Sequence, residues 1–558
     1  MPPRLDQPAG KGWRFWAVLT SLALGNLLVG LDVTIQSSAL PSITDDLNAG
    51  ENYIWIQNGY LLTMTAFLPL YGQLAQVLGR RWPTMVAVSI FLLGSGINGG
   101  ASSTAMLIAG RLVQGIGAAG MTAMTQLIIT DLVSMRDRGK YIGFVFAIFG
   151  VGSALGPPIG GVIVQYISWR WVFYINLPIA GLTLAMQFLF LQVAFVRRTS
   201  IRQKLRSLDW VGNAIIVAAV VSILIALSWA NTRYPWSSWR IIVPLVLGFV
   251  GLGIFAAWES SPYCIQPTIP PKMFANRTSA AALIITFLMS MLTIWRFYFL
   301  PVYFQAVKLT SSSRSGVLLL PSVLIGVPAA IISGQVLSRV GRYKPIHFFG
   351  FATVTLASGL YIYLGLDSSL AEIVIFQLIA GIGGGCLMTT LLPAVQAPHP
   401  PMLMPAATST WTFIRAFGNI WGIAIPSAIF NVQFNARADT ISDPTVRAYL
   451  GGGEAYAHIS AKYIRSLTPE VQHEVREAYL HALKIVWIVC TAFCGLGLAL
   501  IFLEKEIELR RVVEGNVKLK EKQKQQDAEK LMNANKETAA ASEAGVNSPA
   551  PGQTQEKV

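Results

Sequence analysis

Charged residues are what this chain has least of. Asp, Glu, Lys and Arg together make up 12% of its 558 residues, against 53% hydrophobic. A soluble domain carries about 25% charge, so this balance excludes a soluble globular protein and indicates a chain that crosses a bilayer many times. Cysteine is scarce too. Cys264, Cys386, Cys490 and Cys494 lie in or beside apolar runs with no histidine at ligand spacing, which argues against a disulfide framework or a metal site and leaves them as packing residues. Of the histidines, His347 and His399 sit near span ends without clustered acids or a second histidine to complete a catalytic set, so an enzyme is not expected. No GxxxxGK[ST] loop is present, which excludes ATP-driven pumping through that motif. The net charge of +15 is spread over short segments and the C-terminal tail. It builds no basic face, so nucleic acid is excluded as a partner.

What is there is apolar runs. A crossing helix needs about 20 mostly apolar residues, and fourteen runs qualify, centred near residues 28, 65, 91, 117, 152, 184, 219, 248, 291, 325, 355, 383, 417 and 492. Positive charge is uneven between them. Arg80, Arg81, Arg136, Arg138, Lys140, Arg197, Arg198, Arg339, Arg342 and Lys344 fall on the side of the N-terminus, against Arg170, Arg233, Arg240, Lys308 and Arg314 in the short loops opposite. That bias places both termini in the cytoplasm. The expected division is a cytoplasmic segment 1–13, a six-helix bundle 14–196, two linker spans with flanking loops 197–277, a second six-helix bundle 278–503 with an outer loop 431–480, and a tail 504–558. The run TPEVQHEVREAYLHALK suggests an outer helical cap leading into the last span. The tail, rich in Lys, Glu, Gln and Ala, reads as solvated and largely disordered.

The chain repeats itself. GQLAQVLGRR at 72–81 returns as GQVLSRVGRYK at 334–344, with Gly72, Gly79 and Arg80 matched by Gly334, Gly341 and Arg342, and QGIGAAG at 114–120 returns as AGIGGGC at 380–386. Both copies of each motif fall on the same side of the membrane, so the halves are parallel repeats.

Against this apolar background a few residues stand out. LDVTIQSSALP places Asp32 inside the first span, where a carboxylate is disfavoured by about 2.5–3.5 kcal/mol on insertion scales. Arg111 lies mid-run in span 4 and cannot lose its proton, so it must face a partner or water. It is the cation best placed to sense Asp32, either as part of proton traffic or as half of a static ion pair. Gly152, Gly156 and Gly160 recur every fourth residue in span 5 and admit close helix approach, with Pro157 and Pro158 bending the span. In the second half Arg296 and Arg415 have no acid at comparable depth. Arg296 either snorkels outward or faces a cavity and favours an anionic or phenolic substrate. Gln36, Trp55, Gln57, Gln126, Tyr298, Gln305 and Trp411 are candidates to line a large cavity by stacking and hydrogen bonding.

Taken in order, LDVTIQSSALP, GQLAQVLGRR, RLVQGIGAAG, GVGSALGPPIGG, WRWVFYINLP, YFLPVYFQAVK and TFIRAFGNIWGIA resemble the signature segments of the fourteen-span drug:proton antiporter branch of the major facilitator superfamily, and its fungal toxin-efflux members in particular, over residues 13 to about 505. The resemblance implies an all-α fold of two six-helix bundles plus two extra central spans. It also implies a monomer without cofactor, exporting a small hydrophobic or amphipathic molecule from the plasma membrane, or at the vacuolar membrane, against inward proton flow. It assigns Asp32 with Arg111 to proton coupling, the span 5 glycines to an antiporter hinge sealing one half against the other, and Gly72, Gly79, Arg80 and Arg81 with Gly334, Gly341 and Arg342 to the cytoplasmic loop motif. The chain departs from the family where Gln76-Val77 replaces the usual Asp-Arg pair and the repeat carries Ser338-Arg339, which puts the charged latch of that loop in doubt. Rival readings are proton-coupled uptake or vacuolar loading of a small polar solute such as a basic amino acid, and a non-transporting sensor on the same fold.

Overall fold

The structure, a computed structural model, describes residues 12–47, 53–194, 208–230, 234–264, 266–451, 455, 461–509 and 518–519. The apolar runs appear as helices. The first bundle comprises α1 (Trp13–Asp46), α2 (Tyr53–Leu78), α3 (Arg81–Gly99), α4 (Thr104–Leu132), α5 (Arg138–Tyr166) and α6 (Asn176–Phe190). A linker pair, α7 (Trp210–Trp229) and α8 (Trp239–Glu259), follows. The second bundle comprises α9 (Arg277–Val302), α10 (Ser312–Val340), α11 (Lys344–Tyr361), α12 (Leu370–Gln396), α13 (Met404–Asn435) and α14 (Pro469–Leu500). Among the described residues thirteen helices are long and apolar enough to cross a membrane. The fourteenth expected span is α11, an 18-residue helix that Lys344 and His347 make less apolar and that packs between α12 and α14.

The two bundles use the same packing scheme. In the first, α1 packs on α5 and α6, α2 and α3 pack on α4, and α3 packs on α6; in the second, α9 packs on α13 and α14, α10 and α11 on α12, and α11 on α14. That correspondence is the internal repeat in three dimensions. The repeated loops also turn alike, because Gly79 and Gly341 both adopt a left-handed backbone (φ 86° and 76°) that a residue with a Cβ adopts only at a cost. The halves meet through α5 on α10 and α12 and through α13 on α2 and α4, while α7 rests on α2 and α8 on α7. The end at which α1 begins, and whose loops hold Arg80, Arg136 and Arg339, is called the inner end below.

The C-terminal part of the chain sharpens one expectation and departs from another. The run TPEVQHEVREAYLHALK is helical from Pro469 and leads without a break into the last span, as the first part of α14, a 32-residue helix. The short helices Pro444–Leu450 and Ala461–Arg465 lie before it. The start of the tail is not solvated. Glu504 is buried against His347 (Nδ1 to Oε2 2.8 Å), Lys344 Nζ donates to the Glu504 carbonyl (2.6 Å), Tyr343 Oη to that of Lys505 (2.5 Å), and Leu509 is 2% exposed in the inner core. A carboxylate with a histidine partner tolerates burial that a bare one would not, so composition alone misplaced this segment, as it did the acid next to His347. Beyond it, Lys518–Leu519 pair antiparallel with Val193–Ala194. The rest of the tail, the segment before Gly12, and Arg197, Arg198 and Arg233 lie outside the described residues.

Candidate functional site

Asp32 has no exposed surface. Arg111 and Gln114, three residues apart on one face of α4, both reach it. Arg111 donates to Oδ2 at 2.6 Å and Gln114 Nε2 to Oδ1 at 2.8 Å, and Asn176 at the start of α6 donates to Oδ1 at 3.0 Å. Arg111 is held in turn by the Ile56 carbonyl (3.0 Å), by Gln114 Oε1 (2.6 Å) and by the Tyr60 ring, 4.2 Å from its guanidinium carbon. Ser95 and Asn98 of α3 fix Gln114 (2.8 and 2.7 Å). Each of these three hydrogen bonds is donated to Asp32, an arrangement that suits a carboxylate. Gln36, one turn along α1, is buried and donates to the Asp32 carbonyl at 3.3 Å.

The glycine ladder of α5 lies against α1 of its own bundle. A Cβ on Gly152 would fall 2.3 Å from the Leu27 carbonyl oxygen, one on Gly156 2.0 Å from Thr34 Oγ1 and 2.8 Å from Ile35 N, and one on Gly160 2.5 Å from the Ile35 carbonyl oxygen. These glycines, with Pro157 and Pro158 inside the same unbroken helix, therefore set how closely α1, which carries Asp32, approaches α5. The contact to the other half is made by different glycines of α5. Gly139 sits against Gly334 of α10, whose added Cβ would lie 2.8 Å from the Gly139 carbonyl carbon, and Gly143 sits against Ala330 and Thr389.

The inner end is locked. Arg138 donates to Gln396 Oε1 across the halves at 2.5 Å and to the Thr130 carbonyl at 2.8 Å. Gln396 also donates to Thr408 (2.8 Å), which meets Thr130 at 3.4 Å. Arg136 donates to the Arg339 carbonyl (2.7 Å), and Ser338 to Asp137 (2.5 Å). Gly72 permits α2 to touch α13, since its Cβ would sit 2.2 Å from Ser409 Cβ. The loop motif has an acid after all. Arg80 is paired with Asp131 at the end of α4 (2.6 Å), both largely buried, so a partner from another helix stands where Gln76-Val77 supplies none. Arg81 donates to the Phe188 carbonyl (2.8 Å), and the counterpart of Arg80 in the repeat, Arg342, is exposed.

Three of the expected cavity residues come together just outside this lock. Gln126 lies one turn from Thr130 and Trp411 about one turn from Thr408, on facing helices. Among the described residues, Gln126 is fully buried with neither amide atom hydrogen-bonded, Trp411 Nε1 is buried without an acceptor, and Arg415, whose Nε is likewise unpartnered, lies 4.7 Å from the Phe146 ring and 5.4 Å from that of Trp411. Arg296 is elsewhere, inside the second bundle. It occupies on α9 a place like that of Asp32 on α1, beside Gly384 of α12. It is 7% exposed and its NH1 has no hydrogen-bond partner among the described residues, so it does not snorkel to an interface. Trp55 turns away from the gathering and meets Trp229 of α7 edge-on at 6.1 Å. Gln57, Tyr298 and Gln305 are half-buried. Asn176, Gln114, Asp131 and Gln396 were not singled out by sequence, and Arg136 and Arg138 were read only as positive charges that set the orientation. The motifs RLVQGIGAAG and WRWVFYINLP contain the first two, but a neutral amide in an apolar run carries no large insertion cost to mark it.

A family profile described as Major Facilitator Superfamily matches residues 22–423. The chain belongs to the major facilitator superfamily. It is 47% identical over 522 residues to the MFS-type transporter gkaD of Penicillium citrinum, spanning 93% of this chain and 89% of that one. It is 44% identical over 513 residues to the efflux pump FUS6 of Gibberella moniliformis (92% and 91%), and 43% identical over 524 residues to the MFS-type efflux pump LUC4 of a Fusarium species (93% of each). Among solved structures, the human organic anion transporter MFSD10 superposes with a TM-score of 0.55 at 16% identity, covering 87% of this chain and 99% of that one. At such identity the likeness shows the fold alone. This superfamily member is thus a multi-pass membrane transporter and not an enzyme.

Proposed function

We propose that this transporter exports small hydrophobic or amphipathic compounds from the cytoplasm in exchange for protons, with Asp32 carrying the proton. The observation that carries the reading is the donor-only shell of Asp32. A proton on Asp32 adds a donor to a shell in which Arg111, Gln114 and Asn176 already donate, and removes the charge that Arg111 pairs with. On this reading the weakened pair lets α1 shift against α4 or α6. Because the span 5 glycines seat α5 directly on α1, such a shift reaches α5, whose inner end holds Gly139 and Arg138 in the lock. On this reading, with the inner end cytoplasmic, the present conformation is open to neither proton nor substrate from the cytoplasm and has Asp32 ionised. Protonation from outside accompanies substrate release, and deprotonation toward the cytoplasm accompanies rebinding.

Relatives named as efflux pumps support the outward direction. The unpartnered groups of Gln126, Trp411 and Arg415 give substrates a floor that can stack and donate hydrogen bonds, and the Arg415 guanidinium favours molecules that join an apolar body to a carboxylate or acidic phenol. A static Asp32–Arg111 pair is the second reading, favoured by how completely the pair is satisfied. Growth of an efflux-deficient host on a panel of toxic compounds tests both. Protection by the wild type that is lost in Asp32→Asn at equal membrane abundance supports coupling. Protection retained by Asp32→Asn defeats it, and a collapse of abundance supports the static pair.

A further inference from the structure

The inner end of the linker pair gathers three chemically reactive side chains from separate segments. Asp209 precedes α7, Glu259 ends α8, and Cys264 lies in the loop that leads toward α9. One oxygen of each carboxylate and the Cys264 sulfur lie within 4.8 Å of one another. Asp209 Oδ1 is occupied by donors, the Gly212 amide (2.8 Å) and Trp258 Nε1 (2.9 Å). Its Oδ2 faces the Cys264 sulfur at 3.5 Å. Glu259 is 5% exposed, its Oε1 accepts from the Thr268 amide (3.0 Å), and its Oε2 is buried with no hydrogen-bond partner among the described residues. Neither carboxylate forms an ion pair with Lys, Arg or His among the described residues. Two buried acids without a cation are costly unless a proton or a metal joins them. Gly212 keeps the corner open, since a Cβ there would lie 2.0 Å from Asp209 Oδ2 and 3.1 Å from Glu259 Oε1.

We propose that Asp209, Glu259 and Cys264 form a binding site for a divalent transition metal, zinc being the best fit, with water completing the coordination. Tetrahedral zinc with Zn–O of about 2.0–2.2 Å and Zn–S of about 2.3 Å places its ligand atoms about 3.3–3.8 Å apart, so the three donors need to close by little more than 1 Å. A sulfur ligand and so few oxygens disfavour magnesium and calcium, which take six or more oxygens. The bound metal would displace the thiol proton to solvent. It would also fasten the loop of Cys264 onto the linker pair, at a joint where Asn213 bridges Gln73 of α2 (2.7 Å) and Thr268 (3.1 Å), and Gln73 holds the Gln266 carbonyl (2.8 Å).

The experiment uses the full-length protein in detergent, stripped with a chelator and labelled with a maleimide. Cys386, Cys490 and Cys494 are buried, so Cys264 is the cysteine that reacts. Micromolar zinc chloride should slow labelling about tenfold or more once it exceeds the dissociation constant by that factor; magnesium chloride should not, and chelator should restore the rate. Glu259→Gln should elute as the wild type does and lose the protection. Cys264→Ser, read by zinc competition against a chromophoric chelator, gives the same answer without labelling and should bind zinc at least about tenfold more weakly. A wild-type labelling rate indifferent to zinc means the carboxylates merely share a proton, and protection undiminished in Glu259→Gln means zinc binds elsewhere; either result overturns the site.

Discussion

Gly156→Ala adds one carbon where the structure has no room for it. The new Cβ would sit 2.0 Å from Thr34 Oγ1 and 2.8 Å from Ile35 N, against the 3.5–4.0 Å or so at which carbon contacts are comfortable. Thr34 can rotate away, but it then gives up its hydrogen bond to the Ser153 carbonyl (2.9 Å), a loss of about 1 kcal/mol. Ile35 N belongs to helix backbone and cannot rotate, so α5 must retreat from α1 by about 1 Å, which also unseats Gly152 and Gly160. Overpacking of this kind costs about 1–3 kcal/mol, for a total of about 2–4 kcal/mol. Gly161→Ala, the next turn's neighbour on the same helix, meets no atom within 4 Å and should stay within about 0.5 kcal/mol of wild type. Thermal unfolding of the purified proteins, followed beside efflux in cells, should separate the two: Gly156→Ala melts earlier and exports poorly, while Gly161→Ala does neither. If the two variants are indistinguishable, the tight α1–α5 seat is not what the glycine ladder provides.

Other perturbations follow from single contacts. Truncation after Leu509 should leave membrane abundance unchanged, whereas truncation after Leu503 removes Glu504 from His347 and the bonds to Tyr343 and Lys344 and should lower it, as immunoblotting of membranes would show. Asp131→Asn strands Arg80 with its charge uncompensated, a penalty of up to about 3–5 kcal/mol for a fully buried partner, and should reduce abundance far more than Asp45→Asn at an exposed helix end. Asp46 accepts from Trp169 Nε1 (2.9 Å) and Arg170 (3.0 Å), and these bonds hold its carboxyl below the usual value of 3.8. A depressed carboxylate contributes above its unfolded pKa and is lost as pH falls through the lower folded one, so this outer clasp should be insensitive to pH between 5 and 8. Stability of Asp46→Asn relative to wild type should therefore be constant across that range.

Sequence made the architecture legible because burial in lipid leaves long apolar runs, and because the repeat kept its turn glycines, Gly79 and Gly341. Asp32 and Arg111 were legible as a pair because a charge inside a span must find a counter-charge. Their amide partners were not, since Gln114 and Asn176 look like any polar residue in a helix. Asp131 and Glu504 sit at the ends of apolar runs, where an acid normally meets water, and only the fold shows that helices close over them. The direction of the glycine ladder was hidden as well. Spacing shows that α5 has a small-residue face, but which helix lies against it is a fact of packing, and it proved to be α1 rather than the opposite half. Cys264, Asp209 and Glu259 come together across two helix ends, so no local spacing announces them.

Reconstituted vesicles carrying wild type or Asp32→Asn at matched amounts test the central claim most directly. A pH gradient is imposed, a compound from the protective panel is supplied, and its flux and the collapse of the gradient are recorded together. Wild type should couple the two, with compound movement driven by the gradient and accelerated proton entry in return. Asp32→Asn should bind the compound yet show neither. Gradient-driven flux through Asp32→Asn at the wild-type rate would contradict the account, because the proton would then travel without the one carboxylate buried beside Arg111.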